Sequence, residues 1–238
     1  MVFSNLNRFV IGILLIVVVY SSFVFQLDLI LVLLLLLLIS YDFFYLKITN
    51  NYFLILLIII SIISFSFIKL KLFDYLPLIS IITFLSILFN NKYKKEFFII
   101  SLYFFCITLF YIINYDRNIF YLLIFISFIN DTIAFISGKT IGGPLILPKI
   151  SPKKTWSGTL SSFFVTTVLL LFLNFNVFIS IILSSFLFIG DIFFSYMKRF
   201  LYIKDFSKLL GEHGGILDRL DSMFFVATIL QIYLVLEI

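Results

Sequence analysis

Residues 29–46 read LILVLLLLLLISYDFFYL. This run lacks the two-residue alternation of a half-buried strand and the polar face of a soluble amphipathic helix. It is long enough to cross a bilayer, which takes about 20 mostly apolar residues, with roughly 17 as a lower limit. The same texture recurs along the chain. There are nine candidate runs, some shorter than that limit: Phe9–Phe25, Leu29–Leu46, Tyr52–Ile68, Tyr75–Phe89, Phe97–Ile113, Ile119–Ile136, Thr159–Leu173, Val177–Met197 and Met223–Leu236. The second carries Asp42 inside it, and the fourth is short and contains Pro77. Continuous apolar runs argue against a membrane barrel, whose strands alternate between lipid and lumen. The expectation is an all-α, polytopic integral membrane protein with about nine (8–9) transmembrane helices.

Composition agrees. Of 238 residues, 63% are hydrophobic and 12% charged, with a mean hydropathy of +1.23. Soluble domains are nearer half apolar and a quarter charged, so one soluble core cannot hide this much apolar surface. The net charge of +5 forms no basic stripe apart from the membrane loops, which excludes nucleic-acid binding. Cys106 is the only cysteine and lies in an apolar run, so it is expected to be structural. The apolar stretch at the start outruns a signal-peptide core and has no small-residue cleavage site after it, so it reads as the first span.

The positive charges divide sharply. With nine spans, 14 of the 17 Lys and Arg fall on the side holding the N-terminus and the loops after spans 2, 4, 6 and 8. The positive-inside rule makes that side cytoplasmic and puts the C-terminus outside. The expected organisation is one membrane domain, 1–238. N-terminal helices fill 1–129, a catalytic region covers 130–222 with cytoplasmic loops at 137–158 and 198–221, and the last helix fills 223–238. These two loops hold the only His and the only Trp and much of the Gly and Pro. Residues of that kind collected in loops point to chemistry.

At the end of the eighth run, Asp191, Ser195, Lys198 and Arg199 share one helix face. Lys204 and Asp205 follow, then His213, Gly214, Gly215, Asp218, Arg219 and Asp221. Asp218 and Asp221 would share a face of the helix opening the ninth run. Carboxylates suit Mg²⁺, which takes hard oxygen ligands and commonly one or two carboxylates plus substrate phosphates. Lys and Arg neutralise phosphates. The Gly214-Gly215 pair lets backbone N–H groups approach an anion. Alone, Lys198-Arg199 would read as a positive-inside anchor, Asp218 and Asp221 as a solvated helix start, and one His as structural. Anchoring, however, needs no acidic residues, no Gly pair and no fixed order.

Ser195-x-x-Lys198-Arg199, Lys204-Asp205 and His213-Gly214-Gly215-x-x-Asp218-Arg219-x-Asp221 resemble the signature of the phosphatidate cytidylyltransferases (CDP-diacylglycerol synthases). A second stretch is similar to the same family: Asn130-Asp131-Thr132-x-Ala134-Phe135, Gly138-Lys139 and Ser151-Pro152-Lys153-Lys154-Thr155-Trp156-Ser157-Gly158. The likeness is strong from about Asn130 to Ser222. Departures are Gly211-Glu212 where the family often has Pro-Gly, Ser157 where Glu is usual, and Ile133 where Gly is common.

The resemblance implies attack by a phosphatidate oxygen on the α-phosphorus of CTP, with pyrophosphate leaving and CDP-diacylglycerol formed for phospholipid synthesis. It implies Mg²⁺, with a second cation allowed, held by Asp191, Asp218 and Asp221. Lys198 and Arg199 join these as catalytic residues. Ser151, Lys153, Lys154, Ser195, Lys204, Asp205, His213, Gly214, Gly215 and Arg219 would bind substrate. His213 would orient a phosphate or an Asp rather than act as base, because a phosphate nucleophile is already ionised. The implied partners are CTP, phosphatidic acid and membrane lipid, with a homodimer allowed. The implied location is a bacterial cytoplasmic membrane, with the site on the cytoplasmic side. A CTP-dependent polyprenol or phytol kinase would direct a lipid alcohol to the γ-phosphorus. A transporter would place its charges along a path and often show a repeat, and the sequence shows none.

Overall fold

The computed structural model describes residues 2–46, 59, 76–89, 93–211 and 214–236. Among them the fold is helical: α1 (Val2–Val24), α2 (Asp28–Leu46), α3 (Leu76–Phe89), α4 (Lys94–Tyr115), α5 (Arg117–Thr140), α6 (Trp156–Phe172), α7 (Val177–Phe200), the single turn α8 (Leu217–Leu220) and α9 (Met223–Leu236). Four of these, α2, α4, α5 and α7, are long and apolar enough to cross a membrane. Shorter apolar helices cover Gly12–Val24, Trp156–Phe172 and Met223–Leu236. The chain is therefore a helical membrane protein. The run expected at Tyr52–Ile68 lies, apart from Ile59, outside the described residues.

The chain packs as two compact units: Met1–Phe120 with Asp205–Arg219, and Tyr121–Lys204 with Leu220–Ile238. In the first unit α4 is the central helix. Its Phe98, Ile99, Leu102, Phe105, Cys106 and Leu109 are all buried. Phe43 of α2 meets Phe98 edge-on at 6.1 Å, and Phe206 stacks on the same ring at 5.9 Å. Ser40 and Tyr103 share a hydrogen bond of 2.8 Å between α2 and α4. Arg117 staples the α1–α2 turn, donating to Phe23 O at 2.6 Å and pairing with Asp28 at 3.1 Å. In the second unit α9 packs on α7 through Phe193, Phe224 and Phe225, whose rings lie 5.0–6.3 Å apart.

Three expectations need correction. The segment 137–158 is not all loop, although the chain as a whole is all-α as expected. Helix α5 runs on to Thr140, and α6 starts at Trp156. Between them β1 (Leu145–Leu147) and β2 (Ser151–Thr155) form an antiparallel hairpin, with Leu147 opposite Ser151 and Leu145 opposite Thr155. Pro148 suits the first corner of the turn, which Ile150 N–H closes onto Leu147 O at 3.0 Å. Next, α7 continues to Phe200, inside the loop expected from 198. Last, the helix expected to carry Asp218 and Asp221 on one face is interrupted. The turn α8 stops at Leu220, and Asp221 and Ser222 form a break before α9. Asp221 Oδ1 accepts the Ser222 amide at 2.9 Å, and Ser222 Oγ meets Ser127 Oγ at 2.5 Å. Such local side-chain bonds offer the backbone an alternative to the helix.

Candidate active site

The second unit brings three of the predicted residues together from separate elements. Asp191, on α7, pairs with Lys154 of β2 at 2.5 Å, both side chains only partly exposed. Lys153 and Lys154 are neighbours on a strand, so they face opposite ways: Lys154 turns to Asp191, and Lys153 is exposed. Asp221 is buried in the break before α9. Gly190 makes room for that break. A Cβ there would fall 2.6 Å from Asp221 O and 3.2 Å from Ser222 O, both backbone atoms that cannot turn aside.

The electrostatics tie these groups to two more. Burial pushes the Asp221 carboxyl well above the usual carboxylate range, and the charges of Asp191 and then Asp131 push it further. Lys198 and Lys154 pull it back. Two further carboxylates and two ammonium groups of the unit thus lie near enough for their charges to act on Asp221. Asp131 was part of the quoted Asn130-Asp131-Thr132 stretch, but it received no role from sequence. Its signal was an ionisable side chain within an otherwise apolar helix.

The other predicted residues of this unit lie nearby in the chain. Ser195 is buried on α7, Ser151 is half-buried on β2, and Lys204 is exposed. Arg199 donates from Nε to Ile150 O at 3.1 Å, which fastens the end of α7 to the hairpin turn. Thr155 caps α6 by accepting from Gly158 N–H at 3.2 Å. Ser157, at a position where a Glu was expected, meets Thr155 Oγ1 at 3.1 Å and donates to Gly142 O. Its hydroxyl closes the base of the hairpin.

The first unit holds the remainder. Asp218 Oδ2 accepts from two backbone amides, Phe206 at 2.9 Å and Gly215 at 2.8 Å. Gly214 has φ +81°, and a Cβ there would come within 2.6 Å of Asp218 Oδ2. The Gly pair thus lets the backbone wrap closely around a carboxylate of its own loop. Asp205 and Arg219 are exposed. His213 lies outside the described residues. Asp218 therefore belongs to a different unit from Asp191 and Asp221.

Among the described residues no three or more His, Cys, Asp and Glu side chains close into a metal-binding group. Mg²⁺ needs no such cage, since it keeps waters and substrate oxygens as ligands. The donor set fits it: Asp221 is a buried carboxylate beside two like charges, and a cation would relieve that repulsion.

The family model described as "Cytidylyltransferase family" matches residues 5–237. Among curated relatives, the chain is 38% identical over 148 residues to a phosphatidate cytidylyltransferase of Aquifex aeolicus, covering 59% of this chain and 56% of that protein. It is 40% identical over 123 residues to one of Rickettsia conorii, covering 44% and 54%. It is 39% identical over 120 residues to one of Staphylococcus saprophyticus, covering 46% of each. The chain spans about half the length of the curated relatives it matches.

Proposed function

Because the chain belongs to the cytidylyltransferase family, we propose that it transfers the cytidylyl group of CTP to phosphatidic acid, releasing pyrophosphate and forming CDP-diacylglycerol. The observation that carries this reading is the mixed charge around buried Asp221, on which both carboxylates and lysines act and beside which Lys154 pairs with Asp191. A purely cationic patch would bind phosphates. A purely acidic one would bind cations. Phosphoryl transfer from a nucleotide–cation complex needs both.

In this reading an oxygen of the phosphatidate phosphate attacks the α-phosphorus of CTP. A new P–O bond forms as the bond to the bridging oxygen breaks, and its electron pair leaves with pyrophosphate. Bound Mg²⁺ would neutralise charge on the phosphate oxygens. Asp191 and Asp221 would hold it. Lys154 and Lys198 bind the phosphates of the nucleotide and hold them in line. Arg199 holds the hairpin turn against α7, which keeps Lys154 at its station. Asp218 holds the Gly214-Gly215 turn through two amides, Phe206 and Gly215.

The site works at the cytoplasmic face of a bacterial cytoplasmic membrane, in a protein of nine spans with its C-terminus outside. The charge asymmetry supports this placement. A reporter fused after Ile238 that is active only in the cytoplasm should stay silent, and a signal would overturn the topology.

The deciding experiment incubates purified protein in lipid nanodiscs with CTP and phosphatidic acid, with Mg²⁺ present or chelated. CDP-diacylglycerol and pyrophosphate should appear in equal amounts, and only with the cation. Release of CDP with phosphorylation of an added polyprenol would refute the proposal in favour of a kinase.

A further inference from the structure

Asp42 plays no part in the chemistry above, and it occupies an unwelcoming position for a carboxylate. It lies inside α2, an apolar helix long enough to cross a membrane, with 0% of its surface exposed. Ionisable groups in such helices are costly and mark a partner or a task. Both oxygens of Asp42 are engaged. Oδ1 accepts the Ser207 hydroxyl at 2.6 Å, and Oδ2 accepts the Leu217 amide at 3.0 Å. Ser207 Oγ in turn accepts the Leu209 amide at 3.2 Å. Gly215 presses on the same carboxylate, where a Cβ would meet Asp42 Oδ2 at 2.5 Å.

All of these partners belong to one segment, Asp205–Arg219, which returns to the first unit and carries Asp218 and Arg219. Asp42 grips it near both ends. Asp218 grips it from within, at Phe206 and Gly215. Two carboxylates, one from the helix and one from the loop, thus share the work of shaping the segment. The helix itself gains nothing from Asp42, because an apolar side chain would suit α2 better. The beneficiary is the loop.

We propose that Asp42 is a positioning residue: it latches the segment 205–219 to α2 so that the conformation carrying Asp218 and Arg219 is the one populated during turnover. This rests on the cytidylyltransferase reading, but the latch can be tested apart from it. A misplacement of about 1 Å at a distance from the chemistry can cost on the order of 100-fold in rate.

The test compares Asp42→Leu, Asp42→Asn and Ser207→Ala in full-length protein in nanodiscs. Amide hydrogen exchange of residues 214–219 reads the latch, and kcat and KM for CTP read its use. Asp42→Leu should insert, speed exchange at the Leu217 amide and lower kcat on the order of 100-fold, leaving KM within about threefold. Asp42→Asn should retain activity within about fivefold, because its amide can accept from Leu217 and donate to Ser207. Ser207→Ala removes one bond from outside the helix and should cost roughly tenfold in kcat. It decides the matter alone if Asp42→Leu fails to insert. Unchanged exchange at Leu217 in Asp42→Leu would overturn the latch. Faster exchange with wild-type kcat would overturn its role in turnover. If the wild-type protein makes no CDP-diacylglycerol, the proposed function fails while the exchange arm still decides the latch.

Discussion

Replacing Asp218 by Asn separates two roles that the sequence could not tell apart. The side chain keeps its shape and one carbonyl-type oxygen, but loses its charge. In the structure the carboxylate accepts from the amides of Phe206 and Gly215 at 2.9 and 2.8 Å. A hydrogen bond to a charged group contributes about 1.5–3 kcal/mol, against about 0.5–1.5 for a neutral one. With both bonds kept but weakened, the loss is about 1 kcal/mol each, or about 2 kcal/mol in all. At about 1.4 kcal/mol per factor of ten, the turn should open roughly 30-fold more often. Amide exchange at Gly215 and Phe206, followed by mass spectrometry, should speed up by about that factor. CDP-diacylglycerol formation should fall by no more than about that factor, with the Mg²⁺ concentration for half-maximal rate unchanged. A cation ligand would behave differently: the rate would fall by several orders of magnitude, and the Mg²⁺ requirement would rise. A loss beyond about 1,000-fold without faster exchange would refute the turn-holding argument and put Asp218 in contact with the cation or substrate.

Three other perturbations test the second unit. Lys154→Gln breaks the pair with Asp191 and should raise the apparent KM for CTP about tenfold, whereas Lys153→Gln, on the opposite face of β2, should change it by less than about threefold. Steady-state kinetics at saturating phosphatidate distinguish the two, and equal effects would contradict the strand geometry. Asp221→Asn removes a buried charge flanked by Asp191 and Asp131. In chelator its melting temperature should match or exceed that of the wild type, and the rise produced by Mg²⁺ in the wild type should vanish. An undiminished Mg²⁺ response would exclude Asp221 from the cation site. Gly190→Ala sets a methyl group 2.6 Å from Asp221 O. It should cost about 1–3 kcal/mol by overpacking, seen as a lower melting temperature, and turnover should fall because the break at Asp221 is displaced.

The membrane character was legible from the sequence because it depends on composition and run length alone. A run such as residues 29–46 needs no partner to declare that it avoids water. The family was legible too, since carboxylates, lysines and a Gly pair in fixed order are costly to keep in so apolar a chain. The hairpin at 145–155 was missed because its two strands are short, and one of them, Ser-Pro-Lys-Lys-Thr, has no apolar alternation. The grouping of the carboxylates belonged to the tertiary structure. Asp218 and Asp221 are close in sequence, but the chain divides between Arg219 and Leu220, which assigns them to different units, and their hydrogen-bond partners differ. Asp131 and Asp191 lie far from Asp221 in the chain, yet their charges act on it. Asp42 and Leu217 are 175 residues apart and share a hydrogen bond. Periodicity and propensity are local, and they report which face of an element shuns water. Which carboxylate meets which amide is set by how the elements close on one another, and only folding brings those groups within a few ångströms.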